Sequence, residues 1–279
     1  MHASCLCGDV TWEVEGPFEL MHHCHCGRCR KAHGVPFATQ VAARADRFQL
    51  RGAERAVAWE SSPGLRRWFC GHCGSVVPGH ATDGRAFFPC GNLDGDPGVP
   101  ILAHIFAASK APWYEIPDAL PRFDAYPPGF EAKVLPDRPL AAARANTTRG
   151  SCNCGAVGFE YEGAPILCRN CHCGRCRKAR SAAHASNLGV KLAQLRFTRG
   201  EDRLALYKVP DARFFAQAFC TTCGAKLPRV DPSRDLAVVP MGALDDDPGV
   251  RPAEHIFVAS KAPWFEITDA LPQHAEYAP

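Results

Sequence analysis

Fourteen of the sixteen cysteines form one spacing pattern that occurs twice in the 279-residue chain. Each copy has an outer Cys-x-Cys pair, a central Cys-x-Cys-x2-Cys triplet and an outer Cys-x2-Cys pair. These short spacings hold several sulfurs near one point, as a tetrahedral zinc ion with zinc–sulfur distances of about 2.3 Å requires. The seven thiols of each copy divide into four and three, which separates a closed structural metal site from an open reactive one.

The four outer cysteines of each copy belong to two knuckles that are far apart in the sequence. Since such ligands are scattered in the unfolded chain, metal binding contributes folding free energy directly. A glycine follows the second cysteine of each pair and suits the tight turn of a zinc knuckle, because glycine tolerates positive φ. We predict one structural zinc per copy, held by Cys5, Cys7, Cys70 and Cys73 in the first and by Cys152, Cys154, Cys220 and Cys223 in the second.

The central triplet offers three sulfurs from one short segment and no fourth cysteine. The fourth ligand could be His25 or His172 inside the motif, His104 or His255 downstream, or water or substrate. We expect the position to be open, as in catalytic zinc sites. The alternative is a third structural knuckle that a distal histidine completes. The triplets are Cys24, Cys26 and Cys29, and Cys171, Cys173 and Cys176, so that the chain would bind up to four zinc ions.

An open zinc on three thiolates predicts a particular chemistry. The three sulfurs donate so much charge that the ion activates water poorly, yet it still accepts another soft ligand such as a small-molecule thiol. Binding would hold that thiol as thiolate at neutral pH, well below its free pKa of about 8.5. The nucleophile then comes from the substrate, and the sequence shows no Ser-His-Asp constellation.

Composition favours metal ligands over disulfides. Residues 1–10 have neither a basic n-region nor an apolar h-region, and no stretch approaches the roughly 18 apolar residues of a membrane span. We therefore expect a soluble, cytoplasmic protein, and in that reducing compartment clustered thiols are more often metal ligands.

The charge balance bears on a rival interpretation, a nucleic-acid or chromatin module. The formal net charge is +3, but fourteen ligating thiolates and four zinc dications would together add six negative charges and bring it to about −3. The basic residues beside each triplet can offset those thiolates, so they indicate a phosphate-binding face only weakly. A non-catalytic zinc scaffold is the third interpretation, and the sequence does not define an oligomeric state.

The whole chain is a tandem duplication. Residues 24–32 recur letter for letter as 171–179, and residues 104–121 return with few changes as 255–272. We place the first domain at 1–132, a linker at 133–148 and the second domain at 149–279. Strand-like alternation dominates both copies, and only short segments after Cys29 and Cys176 look helical. Each copy is predicted to be a small twisted antiparallel sheet whose modest core is supplemented by metal.

Other polar residues are less specific candidates. Lys110 and Trp113, repeated as Lys261 and Trp264, could form a pocket wall in which the ammonium pairs with a substrate carboxylate. A solvated lysine and a core tryptophan explain them equally well. His104 and His255 are either structural or proton-transferring, while Asp94 and Asp245 are expected in turns. The two remaining cysteines, Cys90 and Cys168, are expected to be buried apolar residues, because methionine stands at each position in the other copy.

With these motifs the chain resembles the glutathione-dependent formaldehyde-activating enzyme family, whose relatives include centromere protein V. The resemblance rests on Cys-x-Cys-Gly, Cys-His-Cys-x2-Cys-x-Lys, Phe-Cys-x2-Cys-Gly, Gly-x-Leu-Asp and the downstream His-Ile-Phe with Ser-Lys and Trp, and it covers most of both copies. It implies mainly β architecture, with one β-tent per copy, outer cysteines on structural zinc and central cysteines on catalytic zinc. It also implies a carbon-sulfur lyase activity that joins glutathione, or another small thiol, to formaldehyde or another aldehyde.

The chain departs from the family pattern in two respects. Most members are single tents, so a fused pair leaves either copy free to change. Met21, His22 and His23 of the first copy correspond to Cys168, Arg169 and Asn170 of the second, so the two pockets can prefer different ligands.

Overall fold

The computed structural model describes residues 1–79, 84–130, 134–136 and 144–278. It is mainly β and consists of two similar halves, each with three small sheets and one short helix, as expected for two tandem β-tents. Half of the predicted linker 133–148 lies outside the described residues, and the first strand of the second half begins at Thr147.

The described part of the first half contains ten strands and one α-helix. They form sheets in the orders β1-β2-β5, β10-β3-β4-β9 and β6-β7-β8, and all neighbours are antiparallel except β10, which runs parallel to β3. The elements are β1 (His2–Ser4), β2 (Thr11–Val14), β3 (Glu19–Cys24), α1 (Gly27–His33), β4 (Ala38–Arg44), β5 (Phe48–Arg51), β6 (Ala56–Ser62), β7 (Leu65–Cys70), β8 (Val76–Val77), β9 (Arg85–Pro89) and β10 (His104–Ile105).

The second half repeats this plan and adds one short strand. Its sheets have the orders β11-β12-β15, β19-β20-β14-β13-β21 and β16-β17-β18. The elements are β11 (Thr147–Ser151), β12 (Gly158–Glu162), β13 (Leu167–Cys171), α2 (Gly174–Arg180), β14 (Ala185–Val190), β15 (Leu195–Arg199), β16 (Leu204–Lys208), β17 (Ala216–Cys220), β18 (Lys226–Leu227), β19 (Arg229–Asp231), β20 (Leu236–Pro240) and β21 (His255–Ile256).

Each helix is fixed at both ends by its own sequence. The Sγ of Cys26 caps α1 by accepting the backbone N–H of Cys29, and Gly34 ends the helix in the left-handed region with φ of 70°. Cys173 and Ser181 play the same parts in α2. Both helices have seven residues. Within the described part of the chain, no helix has the length and apolar character needed to cross a membrane.

The two halves exchange a segment that follows their last strand. Trp113 is only 2% exposed and packs in the core of the second half, beside Phe159 and Leu188. Trp264 reciprocally packs in the core of the first half, with Trp12. Because each half contributes a large aromatic side chain to the core of the other, the two halves share their apolar burial.

The helix of each half also contacts the Gly-x-Leu-Asp motif of the other half. The ammonium of Lys31 in α1 donates to the carbonyl oxygens of Ser151 and Ala243 and to the carboxylate of Asp245, at 2.8, 3.2 and 2.5 Å. A Cβ on Gly242 would lie 2.2 Å from the backbone nitrogen of Val35, so only glycine permits this approach. The aspartates expected in turns thus hold the two halves together.

The two four-cysteine knuckles meet between the halves. The ammonium of Lys226, which is fully buried, donates to the backbone oxygens of Gly74 and Gly224, one from each knuckle. Each of these glycines faces the phenyl ring of the opposite half, Phe219 or Phe69, at a distance that excludes a Cβ. The metal-ligand turns are therefore part of the interface and not only of their own half.

We predict that the two equivalent ion pairs differ in strength. The carboxylate of Asp245 is 9% exposed, so Asp245→Asn leaves the ammonium of Lys31 buried without its counter-charge and should lower the free energy of unfolding by about 3 kcal/mol. Asp94, which pairs with Lys178, is 41% exposed, so Asp94→Asn should cost less than about 1 kcal/mol. Urea unfolding of the zinc-loaded proteins measures both values, and equal losses would contradict this account.

Candidate functional site

The four outer cysteines of each half converge to one point. Within each set all four sulfurs lie within 4.8 Å of one another. In the first half the Sγ of Cys7 lies 3.4 Å from that of Cys5 and 3.6 Å from that of Cys70. Four sulfurs around one zinc at about 2.3 Å would be about 3.8 Å apart, so these spacings fit a tetrahedral ion. The second set has matching separations of 3.4 and 3.8 Å.

The backbone of each knuckle explains why these thiols meet. Gly8 and Gly74 follow their cysteine pairs with φ of 85° and 75°, and Gly155 and Gly224 repeat this at 76° and 68°. The chain therefore turns back sharply after each pair. The N–H of Val10 points at the sulfur of Cys5, at 3.3 Å, which is the arrangement that stabilises a thiolate.

The three central sulfurs also converge, at the start of each helix. Cys24 ends β3, Cys26 caps α1 and Cys29 lies in its first turn, and their sulfurs are within 4.8 Å of one another. Cys171, Cys173 and Cys176 repeat the cluster in the second half. Among the described residues, no histidine nitrogen comes within that spacing of all three sulfurs.

The thiols of these clusters need a cation to be ionised together. Hydrogen bonds from the two neighbouring thiols, followed by burial, hold the pKa values of Cys24 and Cys176 well above 9.0. A dication must displace these protons, so its affinity rises with pH. Both kinds of cluster can hold zinc, and all sixteen cysteines lack a disulfide partner.

A histidine pair and an aspartate lie behind each triplet. The Nε2 of His25 is 2.8 Å from the Nδ1 of His104, and the Nε2 of His104 is 3.0 Å from both oxygens of Asp118. The second half repeats this chain with His172, His255 and Asp269, at the same distances. The parallel pairing of β10 with β3 brings His104 beside the Cys24 strand.

The hydrogen-bond chain fixes the tautomers of both rings. A carboxylate only accepts, so the Nε2 of His104 carries the hydrogen and its Nδ1 must accept from the Nε2–H of His25. The Nδ1 of His25 is then a lone pair, and this buried nitrogen has no hydrogen-bond partner in the described part of the chain. The Nδ1 of His172 is in the same position. Each triplet motif therefore contains one buried histidine nitrogen that can accept a hydrogen bond.

The structure places the predicted lysines and tryptophans in different environments. Lys110 donates to the backbone oxygen of Tyr114 at 3.0 Å, and Lys261 donates to that of Phe265 at 2.9 Å. No carboxylate of the described residues pairs with either ammonium. Trp113 is a core residue of the opposite half, whereas Trp264 is both a core residue and part of a cavity wall.

The two triplets differ in a buried cation. Arg67 donates from Nη1 to the sulfur of Cys29 at 3.6 Å, and although burial opposes its charge, the three thiolates raise its pKa. Gln217 occupies the equivalent position in the second half, where its amide donates to the backbone oxygen of Cys73 instead. The second triplet has Arg180, whose pKa falls to about 10 through burial, partly offset by Cys176.

Several of these residues were not identified by sequence reasoning. Asp118 and Asp269 stand 14 residues after their histidines in the repeated segment, and that constant offset was the available signal. Arg67 carries no such signal because its contact with Cys29 depends on how β7 packs.

The two cysteines outside the pattern lie in apolar surroundings. Cys90 is fully buried in the core of the first half. Cys168 contacts the sulfur of Met241 at 3.4 Å. In the described structure neither joins a metal-ligand cluster.

Comparison with known proteins identifies related sequences. Residues 1–109 and 147–260 match the sequence model described as glutathione-dependent formaldehyde-activating enzyme. A Rhodobacter sphaeroides protein of known crystal structure is 29% identical in sequence. The match covers 37% of this chain and 97% of that protein's chain, with a TM-score of 0.29. No curated protein matches the chain.

We predict that the two kinds of cysteine cluster contribute unequally to stability. Cys5→Ser removes a ligand that joins distant segments, so the zinc-loaded protein should lose one zinc and at least about 10 °C of Tm. Cys26→Ser acts within one short segment and should lose one zinc but less than about 3 °C. Metal analysis with thermal unfolding tests both, and the assignment fails if Cys26→Ser is as destabilising as Cys5→Ser.

Proposed function

Because the chain belongs to the glutathione-dependent formaldehyde-activating enzyme family, we propose that it is a carbon-sulfur lyase of the S-(hydroxymethyl)glutathione synthase type. Its substrates would be glutathione or another small thiol together with an aldehyde. The observation that carries this proposal is the cluster of three sulfurs, found in both halves, that no fourth protein ligand completes among the described residues. The outer clusters would bind two structural zinc ions and the triplets two reactive ones.

The cysteine triplets supply the charge and geometry for a thiol substrate. Zinc on three thiolates would keep a bound small-molecule thiol ionised at neutral pH. The protein's own histidines are unsuited to be fourth ligands. Both nitrogens of His104 are already hydrogen-bonded, and the unpartnered Nδ1 of His25 does not come within 4.8 Å of all three sulfurs. We therefore assign the fourth position to the substrate sulfur in both halves.

In this reaction the chain has only to bind the two substrates and to assist the transfer of one proton. The sulfur forms a bond to the aldehyde carbon, the carbonyl π bond breaks, and the proton lost by the thiol ends on the new hydroxyl oxygen. We propose that the buried Nδ1 acceptor of His25, or of His172, receives a hydrogen bond from a substrate donor. The aspartate-anchored hydrogen-bond chain holds this acceptor in its tautomer.

Cations near each motif histidine suit the carboxylates of a glutathione-like thiol. Burial, then His104, then the charges of Arg30 and Lys110 lower the pKa of His25 to about 3. Burial, His184 and His255, and after them Lys261 and Arg177, similarly lower the pKa of His172, to about 2. Each motif histidine therefore stays neutral beside two positive side chains. We propose that Lys110 and Lys261 pair with substrate carboxylates, since no carboxylate of the described residues pairs with them.

The cellular setting follows from the same thiols. Sixteen cysteines without a disulfide remain available as ligands only where thiols stay reduced, which supports a cytoplasmic location.

The decisive test measures zinc content and glutathione binding by calorimetry. Wild type should bind two glutathiones per chain. Cys26→Ser and Cys173→Ser should each remove one, and the double variant both, because each substitution takes one sulfur from a different triplet. Unchanged binding in the double variant rejects the proposal. Salt-dependent DNA binding with four zincs inaccessible to thiols would instead favour the nucleic-acid or scaffold alternative.

Arg67 should make the first site the tighter one. In a Cys173→Ser background only the first triplet remains, and Arg67→Met removes the buried charge that offsets its thiolates. The thiolate of glutathione would add a further negative charge, so its binding should weaken by at least about tenfold, equivalent to about 1.4 kcal/mol. Titration of both proteins with glutathione measures this. Gln217→Met in a Cys26→Ser background is the matched control, and its glutathione affinity should change little.

A further inference from the structure

A cavity between the two halves is built from residues of both. It has a volume of about 660 Å³, within the range of about 300–1,000 Å³ usual for small-molecule sites. Its first wall comes from the first half, with Phe37, Tyr114 and Asp118, and the opposite wall comes from the second half, with Phe265 and Asp269. A single copy could not form it.

The carboxylates and cations of the cavity lining are unbalanced in favour of negative charge. Four acidic side chains line it and, in the described structure, no lysine or arginine does. Asp118 and Asp269 each accept from the Nε2 of their histidine, and both carboxylates act on the phenol of Tyr114, whose pKa is raised first by burial and then by these charges. The two carboxylates therefore converge on one region. Asp96 and Glu266 are exposed lining residues.

Two histidines of the lining, His104 and His184, do not offset this charge. Burial, and then the neighbouring His255, lower the pKa of His184 to about 3, and burial likewise lowers that of His104. Arg122 is outside the lining, and its guanidinium donates to the backbone oxygens of Ile116 and Asp118. At neutral pH the cavity is therefore negatively charged.

Two buried histidines line the cavity. His23 is 3% exposed and His184 is 4% exposed. Their Nδ1 atoms contact the hydroxyls of Thr39 and Ser186, at 2.9 and 3.3 Å. Asn170 and Phe37 stand at the equivalent positions of the other half, so each half contributes one such imidazole ring from a position that is not histidine in the other.

Aromatic rings complete the walls. The ring of Phe37 lies 5.5 Å from Tyr114 and 6.3 Å from Phe265, and Phe265 lies 6.1 Å from Trp264. Aromatic faces beside carboxylates attract organic cations through the ring quadrupole and through charge.

We propose that the cavity between the halves binds a small organic ammonium ion with an apolar body. The carboxylates of Asp118 and Asp269 supply the counter-charge, the buried imidazoles of His23 and His184 add polar lining, and the aromatic rings cover the apolar part. No described cysteine lines this cavity, although His104 and His255 belong both to its wall and to the hydrogen-bond chains behind the triplets, and the carboxylates exclude a ligand as anionic as glutathione from it.

Three probes of one shape test the proposal on the zinc-loaded wild-type protein by calorimetry. Benzylammonium should bind once per chain, at least about tenfold more tightly than neutral benzyl alcohol, and benzoate should not bind. Equal affinity for benzylammonium and benzyl alcohol, or preference for benzoate, overturns the proposal without any variant having to fold.

Variants then locate the binding. The Asp118→Asn/Asp269→Asn double variant should weaken benzylammonium binding by at least about tenfold. The control Glu201→Gln/Asp202→Asn, which removes the same two charges from an exposed surface, should retain wild-type affinity. The Cys26→Ser/Cys173→Ser variant should also bind benzylammonium normally while losing glutathione. Loss of benzylammonium there would place the amine at the thiol sites and reject the cavity.

Discussion

Mutual repulsion of clustered thiolates governs this fold. Fourteen cysteines gather into four groups in which every sulfur lies within 4.8 Å of its partners. Without a cation, the thiols of such a group cannot all ionise together, and the sharp turns at Gly8, Gly74, Gly155 and Gly224 would order the backbone for little gain. With a dication the same turns become closed sites whose binding free energy contributes to folding. Small sheets of two to seven residues per strand, with modest cores, can then persist.

Metal clusters and interface depend on the same atoms. Lys226 donates to a carbonyl of each four-cysteine knuckle, and Gln217 donates to the carbonyl of Cys73. Formation of one knuckle therefore orders part of the other half. The exchange of Trp113 and Trp264 between the cores extends this coupling along the chain. The halves are related in sequence as two domains, yet their burial makes them one cooperative body, because neither core is complete without the other's tryptophan.

Ligand chemistry was predictable from the sequence because it depends on short-range spacing. Cys24, Cys26 and Cys29 belong to one segment, so a short strand-to-helix connection brings their sulfurs together. The alternating strands and the helices at Cys29 and Cys176 were predictable for the same reason. The cavity was not, because it depends on which half receives the segment with Tyr114 or Phe265. A repeated segment can pack on its own half or on the other half. The local sequence pattern is the same in both cases, so it does not distinguish these two arrangements. Arg67 and Asp118 were missed since their partners lie 38 and 14 residues away.

Differences between the copies concentrate where the halves face each other. The metal ligands, the histidine pairs and their aspartates are the same in both, which fits one chemistry performed twice. His23 and His184, by contrast, are opposed by Asn170 and Phe37 at the equivalent positions, and Pro100 is matched by Arg251, which pairs with Asp247. In an assembly of two identical chains every wall residue would appear twice. Fusion removes that restriction, so the cavity can place a histidine on one side and an aromatic ring on the other. The tandem arrangement thus permits an asymmetric cavity between two similar cysteine triplets.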